Sequence, residues 1–491
     1  MKNNKKYAVI GSGFSGLAAS AIISNQGHDV HVYEKNDQIG GRARQFSAEG
    51  FKFDMGPSWY WMPDVIERFY NNFGYTSSDF YELVKLDPGF KVIFSGNEEV
   101  SIPENWDQLC ELFESIEKGA SNQLVKFMNG AKYKYDIGIN HLVYQPGFSL
   151  LELLRLDLVK GLFKLDVFSS FSSHVRKHFK DPKLIAIMEF PVLFLGAMPR
   201  KTPALYSLMN YAGLKMGTYY PMGGFSKIPQ ALKIIAENKG VNFHLNSPVE
   251  KILVKKSKVH QIQVNGEDIN VDGLIASADY HHIEQNLLSK PYRNYSESYW
   301  NKKVFAPSSL IFYLGVSKKI PKLSHHNLFF DEDFENHAKD LYETKSWPKK
   351  PLFYTCCPSK TDPSVAPDGM ENIFILIPVA TGLEDNENLR EKYFEIIMSR
   401  LEKYTNTNIV NNIIYKRSYC ISDFVSDYNA FGGNAYGLAN TLKQTANLKP
   451  KLKNNKLSNL YYAGQLTVPG PGVPPAIISG EVAANQLLKN H

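Results

Sequence analysis

Tyr7-Ala-Val-Ile10 runs directly into Gly11-Ser-Gly13-Phe14-Ser15-Gly16, and eighteen positions past the last of these glycines Val30-His-Val-Tyr33 closes on Glu34. The first quartet predicts a strand, the small apolar residues from Gly16 to about Gln26 a helix, and the second quartet a neighbouring strand. A strand that turns through glycines into a helix opens a doubly wound α/β fold. Each glycine has its own task. Gly11 makes the tight turn, Gly13 leaves room for a pyrophosphate against the backbone, and Gly16 allows close helix packing, while the helix N-terminus favours the anion. Glu34 is placed to accept hydrogen bonds from ribose hydroxyls. These parts, in this order, predict a dinucleotide site.

The fingerprint does not separate NAD from FAD, so the flanking chain decides. Gly40-Gly41-Arg42-Ala43-Arg44 supplies a loop without Cβ atoms that can approach a diphosphate or a flavin, with arginines to neutralise phosphate charge. Asp54-Met55-Gly56-Pro57-Ser58 is a further turn whose backbone could face a ring system. At the far end Tyr462-Ala-Gly464-Gln465 and Pro469-Gly-Pro-Gly472-Val473-Pro-Pro475 lead into an apolar helix that contains Gly480-Glu481. The N-terminus of that helix suits the negative charge that builds on a flavin's pyrimidine edge on reduction. Two glycine-bearing turns at opposite ends of the chain therefore point to FAD.

At 491 residues the chain exceeds the roughly 250–300 residues at which a single core stops growing. Helical spacing dominates from about 105 to 215; strand-like runs follow at Val241–Leu245, Val249–Val254 and Gln261–Val264, then at Ser309–Gly315 and Asn372–Pro378. The expected architecture is α/β: a Rossmann-type FAD-binding domain from residues 1–75, 220–295 and 455–491, with an inserted α+β domain for substrate, residues 76–219 and 296–454. The helical part of that insertion is read as facing a membrane. Net charge is 55 − 49 = +6 without a basic block, which argues against a nucleic-acid partner. The four cysteines, Cys110, Cys356, Cys357 and Cys420, form no CxxC pair and read as reduced cytoplasmic thiols. With no apolar run of about 18 residues, membrane contact must be peripheral, at the inner membrane. Phe148 to Leu165, with Arg155, Lys160 and Lys164, is either an interfacial helix or an amphipathic cover for the core. The pairs His281-His282 and His325-His326 read as ordinary histidines, because sequence neighbours point to different sides of an element; no metal is expected.

Together these features resemble the bacterial and fungal type of phytoene desaturase and its carotenoid-modifying relatives, FAD enzymes of the amine-oxidase-like superfamily. The resemblance covers nearly the whole chain. Besides the N-terminal fingerprint with Gly41-Arg42, it is carried by Tyr220-Pro-Met-Gly-Gly224, by Cys357-Pro-Ser-Lys-Thr-Asp-Pro-Ser-Val-Ala-Pro-Asp-Gly369, by Asn434-Ala-Tyr-Gly-Leu438 and by the closing Ala-Gly-Gln465 with Pro-Gly-Pro-Gly472. It implies non-covalent FAD held by Gly11, Gly13, Phe14, Ser15, Glu34, Lys35, Gly41, Arg42, Met55, Gly56, Val249, Ala278, Gly464 and Val473, with Pro57 in the same turn. Gln465 is a departure, at a place where relatives often carry other small or polar residues such as Ala or Asp. The chain is also similar to the subgroup that introduces a 3,4 double bond into hydroxylated or monocyclic carotenoids.

The expected function is dehydrogenation of a lipophilic carotenoid, with oxygen or a quinone as final electron acceptor. Hydride loss from an allylic carbon and proton loss from its neighbour need no strong base, since the polyene stabilises the developing cation. Asp136 and Glu189 are carboxylates that could take the proton, but each reads first as solvated or salt-bridged, so no catalytic residue is assigned. Isomerisation or ketolation of a carotenoid, oxidation of an amine, and a silent flavin-binding protein remain the alternatives.

Overall fold

The computed structural model describes residues 4–147, 166, 169–441 and 443–490. The stretch 148–165, read above as interfacial or core-covering, lies outside the described residues. Lys6–Ile10 is the middle strand of a five-stranded parallel sheet, in the order Leu460–Tyr462, Gly273–Ala276, Lys6–Ile10, Asp29–Tyr33 and Asn242–His244. The helix Phe14–Ser24 is buried at every position except Ile22, as its nearly unbroken run of small and apolar residues requires. It packs between Lys227–Asn238 on one side and Val473–Asn490 on the other. A three-stranded antiparallel sheet, Val249–Lys255, Lys258–Val264 and Glu267–Asn270, stands beside this layer. Its last two strands are joined by Asn265-Gly266, both at positive φ, a two-residue turn that this dipeptide favours.

The second layer is a seven-stranded mixed sheet in the order Ile413–Tyr419, Ser308–Val316, Glu371–Val379, Phe353–Cys356, His326–Phe330, Phe90–Phe94 and Glu99–Ile102. Ser308–Val316 is buried along its whole length, and its side chains divide by the two-residue period of a strand. Leu310, Phe312, Leu314 and Val316 join a core with the helix Glu387–Thr405; Ile311 and Tyr313 face the opposite way, into the core that contains the first sheet's helices. The expected strands at 309–315 and 372–378 each extend one residue further at both ends. Phe90–Phe94 and Glu99–Ile102 were not expected. They join the sheet through a parallel pairing with His326–Phe330, a partner more than two hundred positions away that local patterning does not reveal. The helices Trp106–Ile116, Ala120–Ile137, Phe171–His178 and Pro182–Glu189 supply the helical region.

Candidate active site

Where the two sheets meet, a cavity of about 810 Å³ opens between the glycine turns and the wall of the second sheet. The parallel sheet brings the ends of Lys6–Ile10, Asp29–Tyr33, Gly273–Ala276 and Leu460–Tyr462 to one edge, the place where open α/β sheets bind ligands. Gly11, at φ +93°, turns the chain out of the strand. A Cβ on Gly16 would lie 2.0 Å from the Gly11 carbonyl oxygen, so this position must be glycine for the helix to sit where it does. Gly13 is different: a Cβ there would meet nothing within 4 Å, and the residue lines the cavity. The protein's own packing leaves the space beside Gly13 open, as a cradle for a diphosphate requires.

Glu34 is held by four donors. Oε2 accepts from the backbone N–H and hydroxyl of Ser12 at 2.9 and 2.7 Å, and Oε1 from the backbone and side-chain nitrogens of Asn36 at 3.0 and 2.9 Å. These four donors take up the roughly four acceptor sites of the carboxylate and fix it at the cavity edge, so a ligand's hydroxyl binds there only by sharing or displacing one of them. The C-terminal turn converges on the same place. Gly464 donates its N–H to Ser479 Oγ at 3.0 Å, Ser15 Oγ and Ser277 Oγ are 2.7 Å apart, and a Cβ on Gly480 would meet the Ser15 carbonyl oxygen at 2.1 Å. Gln465, the departure noted in the sequence, donates Nε2 to Asn434 Oδ1 at 2.9 Å.

Arg42 gives the clearest sign that something anionic or polar belongs here. Its Nη2 donates to the Asn434 carbonyl at 3.1 Å and its guanidinium lies 4.8 Å from the Tyr428 ring centre, but its buried Nε has no partner. Burial holds the Arg42 pKa below its ordinary value, against the pull of Tyr428 and Asp279. Burial likewise lowers Lys35, whose ammonium donates to the Ser426 carbonyl at 2.5 Å. An enclosed cation with an unfilled donor beside an open glycine cradle fits a nucleotide diphosphate or a flavin edge.

Away from this end the walls change character. Trp59, Trp61, Phe190, Phe330, Phe334 and Tyr342 line the cavity together with aliphatic side chains. Trp59 is the hub of that cluster, 5.2 Å from Phe190 and 5.6 Å from Phe90. Tyr313, buried behind the cavity lining, donates its hydroxyl to the Met55 carbonyl at 2.7 Å and so fixes that turn.

Every residue expected to touch the cofactor except Gly16 lines this one cavity: Gly11, Gly13, Phe14, Ser15, Glu34, Lys35, Gly41, Arg42, Met55, Gly56, Pro57, Val249, Ala278, Gly464 and Val473. Gly16 acts one step back, in the helix packing assigned to it. The two internal motifs also meet. Asp362, in the 357–369 segment, accepts from the Gly223 N–H at 2.6 Å and the Tyr220 hydroxyl at 3.2 Å, while Asp54 accepts from the Phe225 N–H at 2.7 Å. Burial pushes Asp54 up to about 6. Sequence reasoning missed Ser12 and Asn36, which fix Glu34, and Tyr428, which underlies Arg42; Ser12 and Tyr428 meet their partners only through folding, whereas Asn36 stands two residues past Glu34 and was there to be read. Asp136 pairs with Lys132 at 2.6 Å, and Glu189 pairs with Arg176; neither lines the cavity. His325 and His326 differ from expectation. Their rings are 4.5 Å apart, because His325 precedes the strand that starts at His326 and escapes its alternation.

The family model for flavin-containing amine oxidoreductases matches residues 14–488. The chain is 38% identical over 489 residues to the carotenoid 3,4-desaturase of Haloarcula japonica, covering 99% of both chains. It is 29% identical over 492 residues to the zeta-carotene-forming phytoene desaturase of Myxococcus xanthus, covering 99% of this chain and 94% of that one. A putrescine oxidase double mutant shares the fold, with a TM-score of 0.65 at 14% identity over 99% of each chain. The cavity and these likenesses agree: the chain belongs to the flavin-containing amine oxidoreductase family.

Proposed function

We propose that this protein is an FAD-dependent carotenoid desaturase that introduces a carbon–carbon double bond, at the 3,4 position, into a carotenoid. The single observation that carries the reading is the continuity of the cavity, with glycines and an unsatisfied arginine donor at one end and an aromatic wall at the other. The names of the Haloarcula and Myxococcus relatives support the substrate class. The turns at 11–16, 41–42, 55–57 and 464–473 would hold the cofactor. Bound there, FAD would supply the two-electron acceptor for the hydride. The protein's share is placement: the aromatic wall grips an extended apolar chain, Tyr313 fixes the Met55 segment beside it, and apolar packing keeps water from the reacting carbons.

Because a carotenoid is insoluble, we also propose loading from a membrane surface by peripheral contact; no helix among the described residues is long and apolar enough to cross a bilayer. Oxygen or a quinone would take the electrons. The test is expression in cells making different carotene precursors, with chromatography and mass spectrometry of the pigments. A product two hydrogens lighter and absorbing further to the red supports desaturation. Unchanged mass, added oxygen, or turnover of amines alone would reject it.

A further inference from the structure

The cluster behind the cavity wall has no part in the reading above. His326 and Cys356 are register partners on antiparallel strands, so their side chains leave the sheet on the same face. His325 turns its ring against that of His326, and donor atoms of all three residues lie within 4.8 Å of one another. The residues are 4%, 0% and 2% exposed, for His325, His326 and Cys356. Each histidine uses Nδ1 for a protein partner, His325 with Thr361 Oγ1 at 2.8 Å and His326 with Tyr354 OH at 2.6 Å. Each leaves Nε2 buried and without a partner. A buried nitrogen left unmatched is unfavourable, and each of these two neighbouring rings carries one.

We propose that His325, His326 and Cys356 bind a single transition-metal ion of the nitrogen- and sulfur-preferring class, zinc above all. Two imidazoles and a thiolate select zinc and its soft neighbours over magnesium or calcium, whose ligands are oxygen. Engagement of both Nδ1 atoms is the outer-shell arrangement that orients metal-bound histidines and presents Nε2. A separate void of about 20 Å³, lined by Asp54, Ser58, Tyr220, His325 and Cys356, has room for one water as a fourth ligand. Donor atoms within 4.8 Å of one another lie wider than a closed tetrahedral set, so the three side chains would draw together on binding. The ion would clamp the cavity wall. The His326 ring stacks on Trp59 at 4.1 Å, and the Tyr354 hydroxyl that bonds His326 also bonds Ser58 Oγ at 2.9 Å.

The test uses tag-free holoenzyme, incubated with zinc, dialysed and subjected to elemental analysis beside the Cys356→Ser and His325→Gln variants, with flavin content and circular dichroism confirming that each is folded. About one zinc per chain in the parent protein and at least tenfold less in both variants is the expected result. Cobalt added to chelator-treated holoenzyme should give thiolate charge-transfer absorption in the difference spectrum against Cys356→Ser, and zinc should raise the melting temperature of the parent alone. The cobalt measurement needs only that Cys356→Ser fold. Equal metal content in parent and variants, or no cobalt–thiolate absorption, overturns the proposal and leaves the cluster to a buried water.

Discussion

The two ends of the cavity are built on opposite principles. At the dinucleotide end the chain itself is the binding surface: glycines bring backbone close, Glu34 is pinned by four donors, and Arg42 keeps an unfilled one. At the apolar end the backbone is tied up in the seven-stranded sheet, and the surface is made of large side chains drawn from distant segments. Backbone surfaces tolerate almost no substitution but need few residues. Side-chain surfaces can be re-shaped one residue at a time, which is how one family serves amines and carotenoids on one fold.

That contrast can be broken most sharply at two glycines three positions apart. Gly16→Val puts a Cβ where only 2.0 Å separates it from the Gly11 carbonyl oxygen, so the variant should fail to accumulate as folded protein. Gly13→Ala places a Cβ with no neighbouring atom within 4 Å and should fold with a nearly unchanged melting temperature, yet come out of purification without its yellow colour. If both behave alike, the space beside Gly13 is not a ligand cradle. Next in size, Phe330→Arg at the apolar end should retain flavin absorbance while carotenoid turnover falls by two orders of magnitude or more, since an unpaired charge in an apolar site is strongly disfavoured. Loss of flavin instead would mean the two ends are not separable. Arg42→Met should weaken FAD by about 1.5–3 kcal/mol, roughly tenfold to a hundredfold in Kd by titration of apoprotein, the range for hydrogen bonds to charged groups.

The smallest effect concerns acid. His337 donates Nε2–H to the Pro378 carbonyl at 3.0 Å and accepts the Leu352 N–H on Nδ1 at 3.0 Å; burial lowers it to about 4. Its folded value lies below the unfolded one, near 6.5, so this stability is complete above about pH 6.5 and is lost as pH falls toward 4. Between pH 6.5 and 5 the parent should lose about 1–2 kcal/mol more than His337→Gln, read from denaturant unfolding at each pH. Parallel curves for the two proteins would remove His337 from the acid response.

The same contrast explains what could be read from the chain. The turn from Ile10 to Gly16, the acid at Glu34 and the C-terminal Gly-Pro segment are contiguous, and their chemistry follows from backbone geometry that a short motif dictates. The helix Phe14–Ser24 and the long strands Ser308–Val316 and Glu371–Val379 were legible for a related reason, being continuous and mostly small or apolar. Phe90–Phe94 was not, because its place is fixed by a pairing with His326–Phe330. Trp59 has no local mark either. Its standing comes from His326, Phe190 and Phe90 arriving around it from three parts of the chain.

The strand order of the parallel sheet also constrains biosynthesis. Lys6–Ile10 can pair with Asp29–Tyr33 early, but its other neighbour, Gly273–Ala276, emerges much later, and Leu460–Tyr462 later still. The helix Val473–Asn490, which closes over Ser15, follows that strand. The nascent chain therefore waits on the ribosome with an incomplete sheet and an exposed apolar helix, a state prone to aggregation. Cofactor loading has to wait for that segment, and removal of the helix Val473–Asn490 should yield insoluble protein rather than a soluble flavin-free form.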